Sequence, residues 1–152
     1  MPRSRLILCS AYAATALLAL VGTWHQNLSY FRSDEGWLLG FGLATGRFWL
    51  ETLATPASTS ITVDLGLLLL PLSALMVIES RRLGIRFVWL YVALGLLVAI
   101  SVTFPLFLIA RERQLAARGE ASAELGLTRP DAFALLGLGA AMVVFTLWTL
   151  GR

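Results

Sequence analysis

The chain has 152 residues, 58% of them hydrophobic and 14% charged, with a mean hydropathy of +0.79. A soluble domain lies near 45–50% apolar and about 25% charged, and a chain this short buries too little surface to hide so much apolar area from water. All 12 positive residues are arginine against 9 acids, a net +3 too small and scattered for a nucleic-acid surface. One cysteine, Cys9, and one histidine, His25, exclude a disulfide framework, a thiolate metal site and a histidine cluster, so neither metal nor cofactor is expected.

In chain order, the first apolar segment runs from Leu6 to Trp24 behind Arg3 and Arg5. It begins like a signal peptide, but no small-x-small site follows it, so it reads as an uncleaved anchor. Gly36 to Leu53 is apolar only as far as Gly46, about half a membrane span, before Arg47 and Glu51 interrupt it. It reads as an interfacial or re-entrant segment. Residues 61–78, 87–110 and 132–150 are three further runs, the first bounded by the Thr55–Ser58 turn and the Glu79–Arg82 segment and the other two flanked by arginine, and each is near the roughly 20 residues a span needs. Residues 111–131 form a polar linker. The fold class is all-α: a polytopic membrane protein in one domain, with four transmembrane helices and one interfacial segment, because in lipid a helix satisfies its own backbone.

The orientation expected is a cytoplasmic N-terminus with four spans returning the C-terminus to the same side. The arginines then split evenly, and the tight Arg81–Arg86 turn against the acidic first loop decides the direction.

Asp64 is the acid that lipid resists most, about 2.5–3.5 kcal/mol at the centre of a span and less near an end. It reads either as a proton-carrying or binding group, or as a first-turn acid favoured by the helix dipole and an arginine. Four spans bring Arg111 out on the same side as Asp64, where with His25 and Asn27 it would complete a polar site. Arg81, Arg82 and Arg86 are candidate contacts for anionic lipid head groups. Pro71 and Pro105 interrupt their helices' hydrogen bonding, and Gly137, Gly139, Ala140 and Ala141 give the last span a small-residue face suited to close packing.

Several pieces recur together: Asn27-Leu28 with Phe31, Pro56-Ala57-Ser58 before Val63-Asp64-Leu65, Glu79-Ser80-Arg81-Arg82-Leu83-Gly84, Trp89-Leu90-Tyr91, and Phe104-Pro105-Leu106 before Arg111-Glu112-Arg113. Over roughly residues 6–113 this order resembles domain of unknown function 2834, a family of small bacterial membrane proteins. The resemblance implies a bacterial membrane location and supplies no activity, because none is established for the family. The added linker and fourth span depart from the family pattern. The function expected is a non-enzymatic accessory or self-associating membrane subunit, with lipids and a second copy or membrane protein as partners. The alternatives are a small oligomeric transporter coupled through Asp64 and a membrane enzyme acting on a lipid or isoprenoid.

Overall fold

The computed structural model describes residues 3–32, 34–119 and 128–151, and every regular element among them is helical. The helices are α1 (Arg3–Asn27), α2 (Trp37–Glu51), α3 (Pro56–Leu83), α4 (Val88–Leu94), α5 (Ile100–Ala117) and α6 (Arg129–Leu150). Local chemistry sets their ends. Thr55 and Ser58 exchange side-chain and backbone bonds at 3.1 Å ahead of α3, with Pro56 in its first turn, where the missing N–H costs nothing. Thr128 and Asp131 do the same for α6. Gly84 closes α3 at φ 72°, a left-handed conformation that glycine reaches without a Cβ clash, and the N–H groups of Gly84 and Ile85 both return to the Ser80 carbonyl.

Four helical segments are long and apolar enough to cross a membrane: Arg3–Tyr30, Pro56–Leu83, Val88–Ala117 and Arg129–Leu150. The all-α polytopic reading therefore holds. Each segment runs past its apolar stretch, and α5 takes residues 111–117 from the expected linker. The linker's residues 120–127 lie outside the described ones. At 15 residues, α2 measures about 22 Å, short of the ~30 Å hydrocarbon core.

Val88–Ala117 is not a straight rod. Sixteen helical residues would separate Tyr91 from Phe107 by about 24 Å, yet their rings lie 5.7 Å apart, edge to face. A wide turn at Gly95–Ala99 with extended backbone at Ala99 (φ 179°, ψ 138°) sends α5 back along α4. Gly95 permits the reversal, because a Cβ there would sit 3.1 Å from both Ile100 Cδ1 and Thr103 Oγ1. The hairpin closes on a core of Met76, Val88 and Phe107.

Helix α5 lies between α1 and α3, and α6 packs chiefly on α1. A Cβ on Gly22 would stand 2.8 Å from Thr146 Cγ2, so the α1–α6 approach depends on that glycine. Gln26 Nε2 also donates to the Thr149 carbonyl at 3.3 Å. These contacts define two ends. The proximal end gathers the start of α1 and the last turns of α3 and α5. The distal end gathers the end of α1, all of α2, the start of α3 and the end of α6. The start of α1 and the end of α6 thus lie at opposite ends, which corrects the expected return of both termini to one side: the hairpin uses an apolar run without changing ends.

An ion-paired clamp at the proximal end

Three helices deliver charged side chains to one point. Arg111 on α5 donates through Nε to Glu79 Oε2 at 2.7 Å and through Nη1 to Glu112 Oε1 at 2.9 Å. Arg82, one turn beyond Glu79, places Nη1 3.3 Å from Glu79 Oε1. Arg5 near the start of α1 donates to the Glu112 carbonyl at 3.2 Å and approaches its carboxylate at 3.9 Å. Arg5, Glu79 and Glu112 are buried. Taking such charges from water costs several kcal/mol per ion, and only close multiple pairing offsets that. The arrangement joins α1, α3 and α5 and ties the outgoing arm of the hairpin to the two helices beside it. Its carboxylates are engaged by guanidinium donors, so its chemistry is that of a fastener.

The sequence-predicted polar site is not assembled. Asp64 is exposed on α3 and has no partner among the described residues. Arg111 does not emerge beside it. The hairpin returns Arg111 to Glu79, and Glu79 lies about 22 Å along α3 from Asp64 at 1.5 Å per residue. His25 and Asn27 do lie at Asp64's distal end, but no hydrogen bond or ion pair joins the three. His25 is exposed. Asn27 lines a cavity of about 50 Å³ between the hairpin tip at Leu96–Val98 and the rings of Trp24, Phe41 and Phe48. The buried Trp24 indole N–H has no partner among the described residues, and the space suffices for ordered water. Of the candidate head-group arginines, Arg82 turns to Glu79 while Arg81 and Arg86 stay exposed.

A second polar group at the distal end explains the charges that interrupt the α2 run. Arg47 pairs with both Glu35 oxygens, its Nη1 2.9 Å from Oε2, and donates to the Tyr30 carbonyl at 3.1 Å. The Tyr30 hydroxyl donates to Glu51 at 2.7 Å. The hydrogen bond from Arg47 holds the Glu35 carboxyl below the usual carboxylate range. These contacts fold α2 against the end of α1. Among the described residues no group of three or more His, Cys, Asp or Glu is placed to hold a metal.

The sequence family described as "Protein of unknown function DUF2834" matches residues 11–113. The chain belongs to that family. The DUF2834 match contains the whole hairpin turn, Glu79, Arg82, Arg111 and Glu112, and stops before α6, so the fastener is mostly family-matched sequence while the last helix lies beyond it. No curated protein and no solved structure matches the chain.

Proposed function

We propose that this is an integral protein of the bacterial plasma membrane that crosses the bilayer three times, through α1, α3 and α6, and inserts α4–α5 as a re-entrant hairpin from the cytoplasmic face. The observation that carries this reading is the placement of arginine once the hairpin is taken into account. Arg3, Arg5, Arg81, Arg82, Arg86, Arg111, Arg113, Arg118 and Arg129 belong to the proximal end. Arg32 and Arg47 belong to the distal end with Asp34, Glu35, Glu51 and Asp64. Among the described residues the even split of four straight spans becomes nine arginines against two, and basic flanks stay in the cytoplasm.

Within that membrane frame, the role supported best is a non-enzymatic accessory or self-associating subunit. The buried charges of the clamp hold helices together, and α6 exposes apolar side chains along its length, including Leu136, Leu138 and Val144. Gly137 has no neighbour within 4 Å of an added Cβ, and exposed Ala140 and Ala141, three and four residues on, share its side of the helix, which leaves a small-residue face open to a second copy. Gly137→Leu tests it. In nanodiscs the variant should melt like the parent yet give a smaller assembly by native mass spectrometry. An unchanged mass would refute self-association through this face. Asp64, without a partner among the described residues, keeps a coupled carrier as the competing reading. Loss of function at normal protein level in Asp64→Asn would favour the carrier.

A further inference from the structure

The turn from α3 into α4 encloses a groove of about 580 Å³ lined by Ser80, Arg81, Gly84, Arg86, Phe87 and Trp89, among others. We propose that this groove binds the phosphodiester head group of an anionic phospholipid, an inference that rests on the membrane orientation above.

Four observations converge on it. Arg81 and Arg86 are exposed and have no ion-pair partner among the described residues, whereas the nearest acid, Glu79, is already engaged by Arg111 and Arg82. A third guanidinium lies close, since Arg118 Nη2 is 3.9 Å from where a Cβ on Gly84 would stand. Ser80 is 2% exposed and its hydroxyl has no hydrogen-bond partner among the described residues. Thr15, Thr23, Thr45 and Thr146 bond back to the carbonyl four residues earlier, whereas the Ser80 hydroxyl is both buried and without such a bond, and an unused buried donor in the wall of a basic groove is matched to an acceptor-rich ligand. Phe87 is held at φ 60°, a costly conformation for an aromatic residue, and strain of this kind concentrates at binding sites. Phe87 and Trp89 are 75% and 63% exposed, beside the arginines. Charge toward the phosphate and rings toward the acyl chains is the pattern of a membrane interface.

A lipid commits both halves of this groove; inorganic phosphate uses only the arginines. The test is native mass spectrometry of the protein released from nanodiscs of phosphatidylcholine with one fifth phosphatidylglycerol. Retained phosphatidylglycerol should fall about 5-fold in Arg81→Gln or Arg86→Gln and about 25-fold in the double variant, taking about 1 kcal/mol per arginine at an anionic surface and 1.4 kcal/mol per decade. Ser80→Ala should lose retention as well. Arg129→Gln, a basic residue at the same end but off the groove, should retain phosphatidylglycerol like the parent, and all variants should melt alike in pure phosphatidylcholine. Equal loss in Arg129→Gln would reduce the effect to diffuse charge and overturn the site. Displacement of the lipid by millimolar inorganic phosphate would assign the groove to free phosphate and overturn the lipid. Failure of the parent protein to float with liposomes is a separate readout and would defeat the membrane reading itself.

Discussion

Arg111→Ala is the most revealing single change, because it strips a direct partner from two buried acids at once. Glu79 would keep only Arg82 at 3.3 Å, whose side chain is 56% exposed, and Glu112 would keep only Arg5. Breaking a fully buried pair costs about 3–5 kcal/mol. Arg111 is 30% exposed and each acid retains a second cation, so the expected loss is about 2–3 kcal/mol. Glu79→Ala should cost a similar amount, since Arg111 then holds Glu112 alone. The double variant should fall short of the sum by about 1–2 kcal/mol, the coupling of groups in direct contact. Thermal or denaturant unfolding in one detergent gives all four corners of the cycle, at about 2–4 °C per kcal/mol for a chain of this size. Losses that add to within about 0.5 kcal/mol would show that the two helices are not fastened here. The control is Asp64→Ala combined with Arg111→Ala. Arg111 sits at Glu79, about 22 Å along α3 from Asp64, and the two effects should add.

Gly95→Leu should cost about 1–3 kcal/mol by wedging the hairpin turn against Ile100 and Thr103; a variant that melts like the parent would mean the turn has room to spare. In a Cys9→Ser background, cysteines at Gly22 and Thr146 should form a disulfide, because a Cβ on residue 22 stands 2.8 Å from Thr146 Cγ2; no bond under oxidising conditions would refute the α1–α6 approach. For Glu35 the folded carboxyl titrates below its unfolded value, so its contribution is present above about pH 4.3 and disappears as pH falls through the lower, folded value. Melting temperature should therefore drop less between pH 5 and pH 3 in Glu35→Gln than in the parent, and identical profiles would refute the Arg47 contact.

The helical content, the four apolar segments and the short α2 are legible in the sequence because lipid leaves few other ways to satisfy a backbone. The hairpin is not. Residues 87–110 have the length and composition of one span, and hydropathy does not record direction. Length does not give it away either, since Val88–Ala117 has 30 residues against 28 in Pro56–Leu83, which does not reverse; the one local mark is Gly95, where the hairpin closes. Misplacing α5 misplaced Arg111, and with it the partner assigned to Asp64. Glu79 and Glu112 were readable only as flanking charges, since pairing across 32 residues depends on the reversal. Arg82 also read as a head-group contact, and only the fold shows it facing Glu79 while Arg81 and Arg86 remain outside.

The account stands on the hairpin, and single-cysteine labelling in intact cells tests it most directly. In the Cys9→Ser background, cysteines replace Phe87 and Ala117, which flank α4–α5, and Ser29 and Gly151, which lie at or beside the distal end. An impermeant thiol reagent should reach Ser29→Cys and Gly151→Cys from outside, and Phe87→Cys and Ala117→Cys only after lysis. Phe87→Cys and Ala117→Cys labelling from opposite faces would make α4–α5 a true crossing and contradict the account.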